Sequence, residues 1–242
     1  MMYQLSIDVG NTYAKVGVFQ HGNLLQKRIF KSDDVQSMVD FLEGFSPRQI
    51  MYATVRTVEE KIEALAASSD AYFVLNHLTP LPISLDYKTP ETLGRDRIAG
   101  VMGAFVLFPQ RHVLVVDAGT CITYDVLRSE GVYAGGNIAP GVEMRQRAMH
   151  HFTAGLPLVT TNWNRDLLGK TTEEAMQNGA LYGAVYEING YINKLVTELN
   201  NFDIVFTGGD AELLAKHIQQ DIIVNHDLIL IGLNEILRFN VS

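Results

Sequence analysis

The hydrophobic positions of this chain switch repeatedly between a period of two and a period near 3.6. Residues 5–10, with Leu5, Ile7 and Val9 leading to a glycine, predict a short buried strand. Residues 12–20 alternate, with Ala14, Val16 and Val18 on one face and Lys15 and Phe19 on the other. His21-Gly22-Asn23 supplies turn chemistry, and residues 24–30 return as a third strand. Ser32 and Asp33 offer a cap to a helix whose apolar positions are Val35, Met38, Val39 and Leu42. A strand over 49–55, a helix over 58–67 and a strand over 71–75 follow. Residues 80–90, bracketed by prolines, read as irregular, and a helix starting near Asp96 should end before Pro109.

The pattern then starts again. Residues 112–117 form a buried strand, 121–127 a second, Ser129-Glu130-Gly131 a turn and 132–137 a third. A helix follows with Pro140 in its first turn, and a long helix runs from about 172 to 199. A strand over 203–206, a helix over 211–218, a strand over 222–224 and a last helix over 233–239 close the chain. Each half is thus three hairpin-connected strands followed by alternating helices and strands. The expectation is an α/β chain of two similar domains, 1–110 and 111–242, each a mixed sheet flanked by helices. The loops after the first strands also match. Asp8-Val9-Gly10-Asn11-Thr12 is echoed by Asp117-Ala118-Gly119-Thr120, 109 positions later.

Composition narrows the function classes. The 242 residues are 47% hydrophobic and 19% charged, an ordinary globular mix that excludes disorder and collagen-like repeats. A formal net charge of −8 argues against nucleic acid and membrane surfaces as partners, because both need a basic footprint. It leaves phosphate ligands open if a cation accompanies them. The single cysteine, Cys121, excludes an internal disulfide and a cysteine-built metal site. No signal peptide is apparent and the apolar runs are far too short to span a bilayer, so a cytoplasmic protein is expected.

The duplicated loops suggest phosphate chemistry. A glycine at a tight strand turn lets phosphate approach backbone N–H groups, and Asn11 and Thr12 add neutral donors. The Asp8 carboxylate repels phosphate but can hold a hydrated cation that binds it, and Lys15 supplies a positive point charge. Neither loop is a Walker motif or a G-x-G-x-x-G. Two further glycine clusters, residues 135–141 and Thr207-Gly208-Gly209-Asp210, join a strand to a helix, where a nucleotide base or ribose can approach closely.

Gly94-Arg95-Asp96-Arg97 sets two arginine forks around one acid at a helix start. Such forks bind carboxylate or phosphate, and an acid between two cations stays ionised and can accept a proton. The same stretch also reads as a surface charge cluster in which Asp96 complements the helix dipole. Cys121 reads as a small core residue rather than a nucleophile. Adjacent His150 and His151 do not share a helix face, and the loop with Trp163 could cover a site.

Taken together, the loops, repeated halves and order of motifs resemble the actin and hexokinase superfamily, and within it the compact type III pantothenate kinases. The resemblance runs through Asp8-Val9-Gly10-Asn11-Thr12 with Lys15, Leu93-Gly94-Arg95-Asp96-Arg97, Asp117-Ala118-Gly119-Thr120, Gly135 to Gly141, Gly169-Lys170-Thr171-Thr172 and Thr207-Gly208-Gly209. It implies two actin/ribonuclease H-like domains with nucleotide in a cleft between them. It implies ATP-dependent phosphorylation of pantothenate to 4'-phosphopantothenate, the first step of coenzyme A biosynthesis.

The resemblance also implies roles by position. ATP would be held along Asp8, Val9, Gly10, Asn11, Thr12, Tyr13, Ala14 and Lys15, with Thr120. Mg2+ would be held by Asp8 through water, and a monovalent cation, K+ or NH4+, by Asp117. Asp96 would be the catalytic proton acceptor. Tyr87, Gly94, Arg95, Asp96, Arg97 and Thr172 would bind pantothenate, with Thr171 an alternative to Thr172. The family also implies a homodimer. Two other readings stand beside this one: a kinase for another small anionic hydroxy acid or a sugar, and a non-catalytic regulator.

Overall fold

The computed structural model of the protein describes residues 3–45, 49–54, 59–161, 166–199 and 201–242. The expectations at Val55, Val58 and Trp163 lie outside those residues.

The first sheet contains β1 (Gln4–Val9), β2 (Tyr13–Gln20), β3 (Asn23–Lys31), β4 (Gln49–Thr54) and β5 (Ala71–Val74), in the order β3-β2-β1-β4-β5. β1 and β2 pair antiparallel, β4 pairs with β1 in parallel, and β5 extends the parallel side. His21 and Gly22, both at positive φ (51° and 81°), form the two-residue turn whose twist suits a hairpin. The expected alternation on β2 holds: Ala14, Val16 and Val18 enter one core cluster, while Phe19 is buried on the other face, where a Cβ on Gly17 would meet its ring at 2.8 Å and Leu230 at 3.3 Å. The register shift between Val18 and Phe19 skips Leu25 on β3. Leu5, Ile7, Val9, Ala14, Val16 and Val18 pack with Ile50, Tyr52 and the helices α1 (Val35–Glu43) and α2 (Glu60–Ala66).

Asp34, rather than Ser32 or Asp33, caps α1, accepting the Ser37 N–H at 3.2 Å. Residues 80–90 are not wholly irregular: β6 (Ser84–Leu85) pairs in parallel with β9 at Val132 and Tyr133.

The second sheet contains β7 (Val113–Ala118), β8 (Cys121–Arg128), β9 (Val132–Pro140), β10 (Asp203–Thr207) and β11 (Ile223–Val224), ordered β11-β10-β7-β8-β9-β6. Read from β9, it repeats the order of the first sheet strand for strand, with β6 added at the edge. The repeat inferred from the chain is therefore a repeat of topology. Its helices are α4 (Val142–Phe152), α5 (Thr172–Leu199) and α6 (Ala211–Ala215). Pro140 closes β9 instead of opening α4, whose N-cap is the extended Gly141.

Two compact units emerge. The first comprises Met1–Arg111, Val126–Gly135 and Asp227–Ser242; the second comprises His112–Asp125 and Gly136–His226. The boundary expected after residue 110 falls beside the first crossing, and the chain crosses three more times. The C-terminal return has a physical cause in α7 (Leu228–Val241). It packs against α3 (Arg95–Leu107) so closely that a Cβ on Gly232 would stand 1.8 Å from the Ala99 carbonyl oxygen. Likewise, a Cβ on Gly103 would stand 2.2 Å from the carbonyl oxygen of Leu228. α7 begins at Leu228 rather than near 233 because 228–231 is apolar all round and lacks a helical period. Lys27 on β3 pairs with Asp227 at the start of α7. Among the described residues no helix is long and apolar enough to cross a membrane.

Candidate active site

In the first unit, β1 ends and turns into β2 across Gly10, Asn11 and Thr12. The Gly10 N–H donates to the Tyr13 carbonyl at 3.0 Å, closing the turn. Asp8 and Lys15 are cross-strand partners on the β1–β2 ladder, both half-buried, so a carboxylate and an ammonium group flank the mouth of this loop. Asn11, Thr12 and Tyr13 are exposed. Val9 and Ala14 belong to the core, so what they offer a ligand is backbone.

The sequence reading missed what holds this loop. The buried Ser32 donates its hydroxyl hydrogen to the Gly10 carbonyl at 2.8 Å, and its N–H donates to the Thr12 carbonyl at 3.1 Å. Its proximity to a helix start suggested a cap, and no local pattern distinguishes the two uses.

The same unit holds the Arg-Asp-Arg stretch. Gly94 is the N-cap of α3, and Asp96 lies in the first turn. Asp96 folds back so far that a Cβ on Gly94 would come within 2.5 Å of its Oδ1, which also accepts the Arg97 N–H at 2.9 Å. Arg97 is only 5% exposed, which removes the surface-cluster reading for that residue. Its guanidinium lies 5.9 Å from the centroid of the Tyr87 ring, a cation–π distance. Tyr87 in turn contacts Tyr133 at 6.0 Å between ring centroids, and the preceding Asp86 N–H donates to the Tyr133 carbonyl at 2.9 Å. The short strand β6 thus fixes Tyr87 beneath Arg97. Arg95 turns the other way, its Nε 3.4 Å from the Leu75 carbonyl. Tyr87, Gly94, Asp96 and Arg97 are therefore gathered within one unit.

In the second unit three glycine loops converge. The Gly119 N–H donates to the Cys121 carbonyl at 2.9 Å, a turn one residue shorter than its counterpart at Gly10. The Gly141 N–H donates to the Thr120 carbonyl at 3.0 Å, and a Cβ there would stand 2.2 Å from the Gly119 carbonyl oxygen. Gly208, at φ +94°, lies against the half-buried Asp117: a Cβ would meet Asp117 Oδ1 at 2.5 Å and the Ala118 carbonyl oxygen at 2.3 Å. Only glycine fits this backbone conformation and this approach. The Asp210 N–H donates to the Ala118 carbonyl at 2.9 Å. Burial pushes the Asp210 carboxyl above its ordinary pKa, and the charge of Glu143 adds to the shift. Thr207, opposite Asp117 in the parallel ladder, has a buried hydroxyl with no hydrogen-bond partner among the described residues.

The two threonines lie at the start of α5. Thr171 Oγ1 accepts the Glu174 N–H at 3.2 Å, while Glu174 Oε2 accepts the N–H groups of Lys170 and Thr171 at 2.7 and 3.2 Å. This reciprocal capping engages Thr171 Oγ1 as an acceptor, and Thr171 and Thr172 are both exposed. Cys121 is half-buried, and the His150 ring pairs with the Leu156 carbonyl. Among the described residues no group of three or more His, Cys, Asp or Glu side chains is gathered for a metal ion. A magnesium ion that keeps most of its water and binds through one carboxylate and substrate phosphates needs no such cage. Asp117 beside the Ala118 carbonyl offers the hard oxygen donors that suit an alkali cation.

Comparison with known proteins agrees with the motif order. Residues 4–194 match the family model described as type III pantothenate kinase. The chain belongs to the type III pantothenate kinase family. It is 40% identical over 238 residues to the type III pantothenate kinase of Christiangramia forsetii, covering 98% of each chain. Among solved structures it resembles a Campylobacter jejuni protein whose name assigns it to the Baf transcriptional activators (TM-score 0.64, 23% identity, 98% of both chains). It also resembles the ROK hexokinase of Thermus thermophilus (TM-score 0.57, 15% identity, all of both chains). At those identities the two structures show the fold alone: a mixed α/β chain of the actin and hexokinase type, with two sheets flanked by helices.

Proposed function

We propose that this chain transfers the γ-phosphoryl group of ATP to the primary hydroxyl of pantothenate, giving 4'-phosphopantothenate, the first step of coenzyme A biosynthesis. The observation that carries the reading is the family match over residues 4–194, a span that includes Asp8, Asp96 and Asp117.

In this reading the ATP phosphates lie along the loop from Asp8 to Lys15. Backbone N–H groups, Asn11, Thr12 and the Lys15 ammonium neutralise their charge. Thr120 adds a contact to ATP. Hydrated Mg2+ is held through Asp8, and K+ or NH4+ by Asp117. When bound, these ions supply positive charge that an acidic chain lacks. Gly94, Arg95, Arg97, Tyr87 and Thr172 hold pantothenate, with an arginine fork on its carboxylate.

Asp96 accepts the proton of the substrate hydroxyl as its oxygen bonds to the γ-phosphorus. The bond from that phosphorus to the bridging oxygen breaks, and ADP leaves. The backbone N–H of the buried Arg97 donates to Asp96 Oδ1 at 2.9 Å and so fixes the carboxylate that accepts the proton. The enzyme works as a cytoplasmic homodimer.

A coupled assay of ADP release with ATP, Mg2+ and K+, with and without pantothenate, tests the reading. ADP release that requires pantothenate and falls when Na+ replaces K+ is the expected result. ADP release with a sugar or another hydroxy acid, and none with pantothenate, would contradict it.

A further inference from the structure

In the second unit, one hydrogen-bonded chain runs from the middle of α5 to the glycine loops. The Tyr124 hydroxyl on β8 donates to Glu187 Oε1 at 2.8 Å. Arg145 Nη2 donates to Glu187 Oε2, also at 2.8 Å. The same guanidinium donates through Nε to the Pro140 carbonyl at 2.9 Å. Pro140 is the last residue of β9, and its neighbour Gly141 is in backbone contact with Gly119 and Thr120. Tyr124 is buried and stacks against Tyr191 at 4.2 Å between centroids, so the far end of the chain is fixed. Burial, reinforced by the bond to Glu187, pushes the Tyr124 hydroxyl well above its ordinary pKa, so it remains a donor at any pH the protein meets. Arg145 and Glu187 keep only 21% and 29% side-chain exposure.

We infer that Tyr124, Glu187 and Arg145 are positioning residues that set the Pro140–Gly141 turn against Thr120 and thereby the loop proposed to hold nucleotide and cation. The inference rests on the proposed function only for what that loop binds. The geometry supports positioning because Gly141 has no slack. A Cβ built on it would stand 2.2 and 2.6 Å from the carbonyl oxygens of Gly119 and Thr120, and its N–H donates to the Thr120 carbonyl, so a displacement of Pro140 passes directly to Gly119 and Thr120. One planar fork spans a carboxylate and a carbonyl, and a lysine ammonium does not reproduce that geometry.

The test compares Arg145→Lys, Glu187→Gln and the double variant with the unsubstituted protein. Melting temperature, both substrate KM values, the half-saturating K+ concentration and calorimetric titration with a non-hydrolysable ATP analogue are measured. Each single variant should raise the ATP KM, the analogue Kd and the K+ requirement by roughly tenfold, with the pantothenate KM within about twofold. The double variant should be little worse than either single one, because both break the same chain. Melting temperatures that fall while these constants stay put would overturn the inference, as would equal shifts in the ATP and pantothenate KM values. Pantothenate-independent behaviour of the unsubstituted protein would contradict the kinase reading instead, and the analogue titration would then decide the positioning role without turnover.

Discussion

Asp96 has the narrowest role in the proposed reaction, since no other group is assigned to take the hydroxyl proton. Its placement depends on Gly94, over which the carboxylate folds, and on the buried Arg97. Asp96→Asn keeps the shape and the acceptor oxygen but removes the base. Turnover should fall by about 10²–10⁴ with ATP-analogue binding unchanged, as read by steady-state kinetics and calorimetry.

Asp210 makes a prediction of the opposite kind. Its carboxyl pKa is raised in the native state, so its proton is held more tightly there than in the unfolded chain. The associated stability is complete below the ordinary value of 3.8 and is lost as pH rises through the native value. The ionised carboxylate is the form that burial and the charge of Glu143 disfavour in the folded protein. Asp210→Asn should raise the melting temperature at about pH 7, and the gain should shrink towards about pH 4. A gain that grows as pH falls would contradict the assignment. At this scale Asp8, Lys15, Asp96 and Asp117 were legible in the sequence because their motifs are local. Ser32, Arg145 and Glu187 were not, because each has a partner distant in the chain, Gly10 for Ser32 and each other for Arg145 and Glu187.

Among the elements, α3 and α7 determine how firmly the Arg-Asp-Arg stretch is held. Their backbones touch at Gly103 and Gly232, and α7 buries Leu228, Leu230, Leu233, Ile236 and Leu237. Each such side chain contributes about 1.5–3 kcal/mol relative to exposure. Gly232→Val should cost about 3 kcal/mol or more, seen as a lower urea midpoint, because the new Cβ meets backbone that has no room to move. An unchanged midpoint would mean that the crossing is looser than described. The sequence showed α3 through its helical period and its proline stop. It located α7 late, since an apolar run has no face to read. β6 escaped notice because two residues between prolines carry no periodicity, and their pairing is set by β9.

For the whole molecule, the duplicated strand order was the most legible feature. Two Asp-x-Gly loops 109 positions apart predicted two sheets of equal topology, and both sheets share one order. The division of the chain was less legible: a hairpin tip and the last helix return to the first unit through long-range packing that no linker announces. If the chain is a homodimer, light scattering after size exclusion should give twice its 26.9 kDa mass, and a monomer mass would contradict that proposal.

The central claim is phosphoryl transfer to pantothenate through Asp96. Its most direct test is mass spectrometry of the reaction product formed by the unsubstituted protein and by Asp96→Asn with ATP, Mg2+, K+ and pantothenate. The account predicts phosphopantothenate in step with ADP from the first and almost none from the second. Phosphopantothenate formed at comparable rates by both proteins, or by neither, would contradict it.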